Sequence, residues 1–446
     1  MAEHIFRRKI YGEMLRWKQE YNGSYALLIK GARRVGKTTI AEEFAKNEYE
    51  SYILIDFSNI SNEMKKLFND ISDLDYFFLQ LQNLMHVDLH ERRSVIIFDE
   101  VQLEPKARQA IKHLVKDGRY DYIETGSLLS LKKNTKNILI PSEEHRISMY
   151  PMDFEEFLEA TGDTMTWDAI KNAFDSGRSL GDAVHRQIMR KFRLYMLVGG
   201  LPQAVATYIE RNNLKDVDRI KRDIIELYLE DFSKIDSTGF AANLFKLIPA
   251  ELSRNTSRFN LGKVDKTGRL ESRQKVLADM LDSYTINIAY HSDDPNVGLG
   301  ITANPDCFKV FTLDTGIFVT LAFMDKDYTD NIIYSKFLSD KLSVNLGYIF
   351  ENVVSQELVS SGNKLYYHTM DSDTSNHLYE VDFILSKENK ICPIEVKSAS
   401  YRTHTSLDFF IKKYSARIGE KYVIHTKDFK KEGGITYLPV YMTALL

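Results

Sequence analysis

The stretch Gly31-Ala32-Arg33-Arg34-Val35-Gly36-Lys37-Thr38, followed by Thr39, decides the fold of this chain. It matches the pattern G-x-x-x-x-G-K-[ST] at every fixed position. The apolar run YALLIK at residues 25–30 precedes it and predicts a buried strand. The segment TTIAEEFAKN at residues 38–47 follows it and carries apolar side chains at helical spacing. The order of strand, glycine-rich turn and helix predicts a phosphate-binding loop.

Each part of this loop has a predicted role toward ATP. The glycines allow the backbone N–H groups to surround a phosphate, and the helix N-terminus adds a partial positive charge. Lys37 is expected to reach the β- and γ-phosphates, and Thr38 to ligate Mg²⁺. The residues predicted to contact the nucleotide are Gly31, Ala32, Arg33, Arg34, Val35, Gly36, Lys37, Thr38 and Thr39.

Two acidic residues, Asp99 and Glu100, follow the apolar run SVIIF. The carboxyl end of a strand lies at the ligand-binding edge of an α/β sheet. We therefore predict that Asp99 helps to hold Mg²⁺ and that Glu100 is the general base that orients and deprotonates the attacking water. An isolated Asp-Glu pair would otherwise be a solvated acidic turn.

The next strand ends in Glu124-Thr125-Gly126-Ser127, where a hydroxyl could contact the γ-phosphate or the water. Ser127 and Thr125 are the candidates, and an ordinary turn is the alternative. Arg146 begins the following strand and could stabilise transition-state charge in its own chain or in a neighbour. The alternative for Arg146 is an ordinary surface residue.

Short apolar runs alternate with helical patterns over the first part of the chain. Strands are predicted at residues 25–30, 51–57, 94–98, 120–125 and 145–150. Such alternation predicts a mostly parallel sheet covered on both faces by helices.

Several segments resemble one bacterial and archaeal group of AAA-family ATPases. They are GARRVGKTT, VIIFDEVQ, ETGS and HRISMYPMDFEEFL, the last containing an element similar to that group's PLSFxEFL. Met152 stands where the group usually has Leu. The turn Gly199-Gly200-Leu201-Pro202 resembles the helical lid of STAND and related ATPases. This resemblance implies that Gly200 and Pro202 pack on the nucleotide base and sugar, and a helix-ending Gly-Pro turn is the alternative.

A second group of polar residues lies in the last hundred positions. Glu351 falls in a helical pattern, Asp382 in the strand pattern YEVDFIL, and Glu395 and Lys397 in PIEVK. Residues two apart in a strand point to the same face. Asp382 and Glu395 could bind Mg²⁺, or Mn²⁺ in its place, Glu351 could complete that metal site or a second one, and Lys397 could position the water. An exposed strand edge is the alternative.

The order of these residues resembles the PD-(D/E)xK nuclease core, with Val381 in place of the proline. The fold class expected is α/β: a P-loop AAA-type parallel sheet with a helical lid, a winged-helix-like connector and a C-terminal restriction-endonuclease-like α/β domain. The expected boundaries are 1–160 for the ATPase core, 161–238 for the lid, 239–335 for the connector and 336–446 for the nuclease-like domain.

Composition narrows the class of protein. The formal net charge is −4, which argues against a uniformly basic surface but not against a local basic groove. The two cysteines, Cys307 and Cys392, lie far apart and favour a reducing compartment. There is no apolar run of membrane-spanning length and no signal-peptide pattern at the start. We expect a soluble cytoplasmic protein with no membrane partner.

The favoured function is ATP-controlled nucleic-acid processing by a C-terminal Mg²⁺-dependent nuclease-like domain, with DNA favoured over RNA and a homo-oligomer allowed. ATPase activity is expected, and nuclease activity is left open because a fold does not imply its function. One alternative is a STAND-like nucleotide-dependent signalling switch. Another is a nucleic-acid loader whose C-terminal domain binds without cutting.

Overall fold

The structure is a computed structural model that describes residues 4–126, 142–254, 256–259, 261, 270–325, 331–339, 347–372, 378–399 and 401–446. The chain divides into two compact units. The first contains Met1–Tyr150 and Asp282–Tyr284, and the second contains Pro151–Leu281 and Thr285–Leu446.

The first unit is a sheet of parallel strands with helices. Its elements in chain order are α1 (Ile10–Tyr21), β1 (Ala26–Gly31), α2 (Lys37–Glu48), β2 (Ser51–Asp56), α3 (Asn62–Leu67), α4 (Leu74–Met85), β3 (Ser94–Asp99), α5 (Pro105–Asp117), β4 (Asp121–Gly126) and β5 (Glu144–Met149). The strand order is β2-β3-β4-β1-β5, and every pairing is parallel. The predicted parallel sheet is confirmed, and each predicted strand lies within one residue of an observed one.

Local sequence explains these elements. Strand β3 is buried along its whole length, as expected for a central parallel strand that is covered on both faces. Helix α5 begins with Pro105, whose fixed φ suits the first turn of a helix. It ends at Gly118, which has φ 78°, a conformation that glycine adopts without steric cost.

The second unit begins with helices and continues into a mixed sheet. Its helices are α6 (Phe154–Ala160), α7 (Thr166–Ser176), α8 (Asp182–Val198), α9 (Pro202–Arg211), α10 (Leu214–Ile235), α11 (Phe240–Leu252), α12 (Leu270–Asp282, whose last residue falls in the first unit), α13 (Thr315–Ala322), α14 (Asn331–Leu338), α15 (Gly347–Ser360) and α16 (Thr405–Lys413). Its strands are β6 (Ile286–Ser292), β7 (Ala303–Thr312), β8 (Tyr366–Asp371), β9 (Leu378–Lys387), β10 (Lys390–Lys397), β11 (Tyr422–His425), β12 (Lys430–Glu432) and β13 (Ile435–Pro439). Short 3-10 helices cover Phe57–Asn59, Val101–Leu103 and Val440–Leu445.

The mixed sheet has the order β12-β13-β11-β10-β9-β8-β6-β7. The hairpin of β6 and β7 therefore belongs to the same sheet as the C-terminal strands, because Tyr290 and His291 of β6 pair in parallel with Tyr366 and Tyr367 of β8. The expected boundary at residues 335/336 falls within this one sheet, and the division into a winged-helix-like connector and a nuclease-like domain stays a prediction. The division between units also falls at residue 150/151 rather than 160/161.

Buried amide side chains fix helix α15 against this sheet. The side-chain oxygen of Asn352 accepts a hydrogen bond from the Thr312 N–H (2.9 Å), at the end of β7. The side-chain oxygen of Gln356 accepts one from the Thr315 N–H (2.7 Å), at the start of α13. Buried polar groups need such partners, so these contacts specify one position for the helix that carries Glu351.

Candidate functional site

The phosphate-binding loop connects β1 to α2 and has the backbone that its glycines permit. A Cβ on Gly31 would lie 2.4 Å from the carbonyl oxygen of Met149, so no other residue fits there without displacement of β5. Gly36 has φ 100°, which favours glycine. Arg34 also has a positive φ, 68°, which is uncommon for a residue with a side chain. The Arg33 and Arg34 side chains are exposed.

Lys37 lies inside this loop and is almost fully buried. Its ammonium donates hydrogen bonds to the carbonyl oxygens of Gly31 (3.0 Å) and Ala32 (2.9 Å). Burial lowers the pKa of Lys37, and the charges of Glu100 and Asp99 oppose that shift. The lysine is thus held by carbonyl groups of the loop, and its contact with a bound phosphate stays a prediction.

Three polar side chains converge at the carboxyl ends of the neighbouring strands. The Thr38 hydroxyl donates to Asp99 Oδ1 (2.8 Å), and the Thr125 hydroxyl donates to the same oxygen. The Thr125 oxygen in turn accepts from the Glu100 N–H (3.3 Å). Thr38 and Asp99, the predicted magnesium-site residues, are therefore in direct contact. Of the two candidate hydroxyls in the ETGS segment, Thr125 is the one that the structure describes. Ser127 lies outside the described residues, so its role stays a prediction.

Glu100 lies just after β3 with φ 53°, a left-handed conformation that is uncommon for glutamate. Its carboxylate accepts a hydrogen bond from the Gln102 side-chain amide. Gln102 lies in the short helix that follows β3, and sequence reasoning did not single it out. A glutamine two positions after an acidic pair carries no signal by itself, because the contact depends on the tight turn at Glu100.

Arg146 lies in the middle of β5. Arg146 is opposite Leu28 of β1, which lies three residues before the end of β1 at Gly31. At about 3.3 Å per residue of strand, the Arg146 backbone is therefore about 10 Å from the phosphate-binding loop. Its half-exposed guanidinium pairs with Glu144 (3.1 Å). The buried Arg108 contacts the same carboxylate (3.1 Å). The role of Arg146 toward a transition state stays a prediction.

Arg8 is a buried residue of the loop region that the sequence did not reveal. Its guanidinium donates to the carbonyl oxygen of Val35 in the phosphate-binding loop (3.1 Å) and to that of Tyr150 after β5 (2.6 Å). The motif describes only the loop itself, so a positioning arginine 27 residues away in sequence gives no local signal.

The Gly199-Gly200-Leu201-Pro202 turn is buried within the second unit. The Gly200 N–H donates to Asp314 Oδ2 (2.6 Å), and the Gly200 carbonyl accepts from the Met152 N–H (2.8 Å). A Cβ on Gly200 would lie 2.1 Å from the Met152 oxygen. Pro202 is the first residue of α9. This close packing accounts for Gly200, and nucleotide contact by Gly200 and Pro202 stays a prediction.

The C-terminal residues of the PD-(D/E)xK-like pattern come together on β9 and β10. These strands are antiparallel, with Phe383 opposite Ile394, so Asp382 and Glu395 are adjacent across the pair. Asp382 Oδ2 accepts from the Val396 N–H (2.7 Å), and Glu395 Oε1 pairs with Lys397 Nζ (2.7 Å).

Lys309, Glu351 and Glu380 lie beside these three residues. The six together are called the acidic cluster: Lys309, Glu351, Glu380, Asp382, Glu395 and Lys397. Lys309, on β7, is 5% exposed. Its ammonium pairs with Glu380 of β9 and lies 3.8 Å from Glu351 Oε2 of α15. Sequence reasoning included Glu351 but missed Lys309 and Glu380, because β7 was expected in a different domain.

The cluster holds carboxylates that resist ionisation. Burial, and next the charge of Asp382, raise the pKa of Glu395 to about 8. Burial raises the pKa of Glu351 to about 8 although the nearby Lys309 opposes this. Burial would lower the pKa of Lys309, but the charges of Glu380, Glu351 and Asp382 raise it. Carboxylates are thus crowded together and only partly neutralised by lysines.

These residues bear on whether a divalent cation fits. Glu395 is 4% exposed, and its Oε2 atom has no hydrogen-bond partner within the described part of the chain. A buried oxygen without a partner beside a second carboxylate suits a hard cation such as Mg²⁺ or Mn²⁺. No three His, Cys, Asp or Glu side chains in the described ranges are already arranged as a metal site. The Asp382 and Glu395 side chains are therefore suited, as a pair, to hold one Mg²⁺ or Mn²⁺ ion.

Comparison with known families matches three segments of the chain. The model of an AAA domain matches residues 23–158. Two domains of unknown function match elsewhere, DUF8612 at residues 189–328 and DUF4143 at residues 346–442. The AAA match contains the phosphate-binding loop, Asp99 and Glu100. The N-terminal part of this chain is therefore an AAA-type P-loop ATPase domain, a class that uses nucleotide and usually Mg²⁺.

Individual relatives are distant. An uncharacterized protein of Methanocaldococcus jannaschii, MJ1637, is 26% identical over 215 residues, and the match covers 44% of each chain. The chain thus spans less than half of that relative. A Walker-type ATPase of Pyrococcus abyssi is 16% identical, with 72% of this chain and 97% of that chain covered and a TM-score of 0.43. The Thermotoga maritima RuvB Holliday junction branch migration motor is 13% identical, with 63% and 89% covered and a TM-score of 0.30.

Within the residues that the structure describes, no helix combines the length and apolar character that crossing a membrane requires.

Proposed function

We propose that the protein hydrolyses ATP in its AAA domain and thereby controls an action of the acidic cluster on nucleic acid. The observation that carries the ATPase part is the convergence of the Thr38 and Thr125 hydroxyls on Asp99 at the end of β3. The observation that supports the second part is the adjacency of Asp382, Glu395 and Lys397.

In the AAA domain the loop N–H groups and Lys37 would bind the phosphates. Thr38 and Asp99 would hold Mg²⁺, which supplies neutralisation of the phosphate charge. Glu100 would accept the proton of the attacking water, and Thr125 would hold Asp99 and the Glu100 backbone in place. Gln102 would orient the Glu100 carboxylate through the contact that it already makes.

In the acidic cluster Asp382 and Glu395 would hold one Mg²⁺ or Mn²⁺ ion, which supplies electrophilic assistance at a phosphodiester. Lys397 lies beside Glu395 and would position the attacking water or the phosphate. The exposed Lys412 and Lys413 of α16 would contact the backbone of the nucleic acid, with DNA favoured over RNA.

The test is a cleavage assay on the full chain with ATP, Mg²⁺ or Mn²⁺, and single- and double-stranded DNA and RNA. We expect metal-dependent cleavage that Asp382→Ala and Lys397→Ala abolish, while ATP hydrolysis persists because the two sites share no residues. Asp408→Ala and Lys390→Ala, at exposed positions of the same sheet and its helix, are the matched controls. Absence of cleavage by the wild type on every substrate would refute nuclease activity.

A second candidate is a switch or loader whose C-terminal domain binds a partner without cutting. The observation in its favour is the Lys309 ammonium among the carboxylates of the cluster, where it already neutralises Glu380. A switch would retain ADP and turn over slowly, whereas a loader would show turnover stimulated by nucleic acid without cleavage. Measuring ADP release with and without nucleic acid separates the two.

A further inference from the structure

The acidic cluster contains two cations and is divided between them. Lys309 of β7 contacts Glu380 and lies 3.8 Å from Glu351. Lys397 of β10 contacts Glu395 at 2.7 Å. Each lysine therefore forms its direct ion pairs with different carboxylates.

The two halves differ in what surrounds their charged groups. In the first half, the Lys309 ammonium is buried among its counterions, and its Nζ atom lies 5.5 Å from the centre of the Tyr367 ring, so aromatic and acidic groups both stabilise it. In the second half, Glu395 Oε2 is buried and lacks a hydrogen-bond partner within the described ranges. Asp382 uses one oxygen for the Val396 N–H. A buried acceptor without a partner is thus available beside Asp382.

We propose that Lys309 is a built-in cation that takes the place of a second metal ion, so that Glu351 and Glu380 are its counterions and a single divalent ion binds at Asp382 and Glu395. This inference rests on the metal-dependent action proposed for the cluster. In this proposal Glu351 is a counterion of Lys309, whereas the sequence pattern predicted that it is a metal ligand. A divalent ion at Glu351 would stand close to a buried ammonium, and the two like charges would repel each other.

The position of Lys309 in the chain also shows that two separate segments contribute residues to this site. Strand β7 lies within residues 303–312, outside the C-terminal segment that carries the PD-(D/E)xK-like pattern. Strands β6 and β8 lie between β7 and β9 in the sheet, yet the Lys309 side chain contacts Glu380 of β9 and lies near Glu351. The hairpin of β6 and β7 would therefore be part of the active cluster rather than a connector to it.

The test counts Mn²⁺ ions bound by the nucleotide-free full chain, by calorimetry and by electron paramagnetic resonance. Every variant carries Asp99→Asn so that the P-loop contributes no signal. We expect one bound ion, at least tenfold weaker binding in Asp382→Asn, and less than threefold change in Glu351→Gln. Equal weakening by both substitutions would identify Glu351 as a ligand and overturn the inference while leaving the proposed function intact. Absence of any Mn²⁺ binding would overturn both.

A second variant examines the lysine itself. Lys309→Met keeps an unbranched side chain, one atom shorter, and removes its charge, so the number of bound Mn²⁺ ions should rise from one to two. Lys397→Met is the matched control and should not raise it. Circular dichroism establishes whether Lys309→Met folds; if it does not, the Asp382→Asn and Glu351→Gln pair decides. A folded Lys309→Met protein that still binds one ion would contradict the proposal.

Discussion

The two sites of this chain are built from different parts of the polypeptide. The phosphate-binding loop uses backbone groups of one short segment, and its polar side chains are paired with each other, as Thr38 and Thr125 are with Asp99. The acidic cluster uses side chains of three strands and a helix, and its carboxylates outnumber its lysines. The first site can be read from a sequence pattern, whereas the charge balance of the second depends on which strands become neighbours.

This difference predicts different behaviour. A backbone cradle contributes the same N–H groups whichever side chains flank it, so its function concentrates on a few residues such as Lys37 and Glu100. A crowded cluster distributes its charge over several coupled groups, so one substitution alters the others. Two predictions use this contrast, and a third concerns the stability of the second unit.

The largest effect is expected from Glu100→Gln. The substitution keeps the shape of the side chain but removes the base, so ATP turnover should fall by about 100- to 10,000-fold while ATP binding is kept. Steady-state phosphate release and calorimetric titration measure the two quantities. Glu395→Gln makes the same chemical change in the acidic cluster and should leave turnover unchanged. Wild-type turnover in a folded Glu100→Gln protein would exclude Glu100 as the base.

The next effect is expected from Lys37→Ala. Loss of a charge-assisted contact to the phosphates should weaken ATP binding by on the order of 100-fold, or about 3 kcal/mol. Calorimetry checks this, with Lys397→Ala as the matched control that should bind ATP normally. Equal ATP affinity for wild type and folded Lys37→Ala would disprove the P-loop assignment.

The smallest effect concerns acid stability of the second unit. Burial lowers the pKa of His368 from 6.5 to about 4. Its Nδ1 contacts the Ser292 carbonyl (2.6 Å), and its Nε2 contacts the Tyr414 hydroxyl (2.9 Å), a pattern that the neutral ring satisfies. Because the folded pKa is depressed, the contribution to stability is complete above pH 6.5 and is lost as pH falls through 4. It amounts to at most about 3 kcal/mol at 1.36 kcal/mol per pKa unit.

Denaturant unfolding of wild type and His368→Gln at several pH values between 4 and 7 measures this. The glutamine can keep both hydrogen bonds without titrating, so its free energy of unfolding should depend less steeply on pH. His113→Gln, at an exposed position of α5, is the control that should follow the wild type. If the free energy of unfolding depends on pH equally in wild type and His368→Gln, His368 does not contribute to the acid sensitivity of the fold.

Much of the first unit could be predicted, because its information is local. The apolar run SVIIF is short and continuous, as expected for a strand buried on both faces, and β3 is such a strand. The ends of α5 follow from Pro105 and Gly118 alone. Local sequence patterns did not reveal Arg8, because its contacts with the Val35 and Tyr150 carbonyls join segments that are far apart in sequence.

The second unit was less predictable. The order of Glu351, Asp382, Glu395 and Lys397 indicated a cluster, since alternation along β10 places Glu395 and Lys397 on one face. The sequence did not indicate that the β6–β7 hairpin shares a sheet with the C-terminal strands, because local periodicity does not specify a parallel partner such as β8. Lys309 was missed for that reason.

The sequence by itself therefore determined the P-loop and the parallel sheet around it, and it indicated which acidic residues are candidates for chemistry. These properties depend on spacing, turn residues and strand ends, which are local along the chain. Only the tertiary structure decided that Thr125 contacts Asp99, that Gly200 is packed against Met152, and that Lys309 lies among the carboxylates of the cluster. The physical reason is that hydrogen bonding between strands and burial of charge depend on which segments become neighbours, and that choice is made by the folded sheet as a whole.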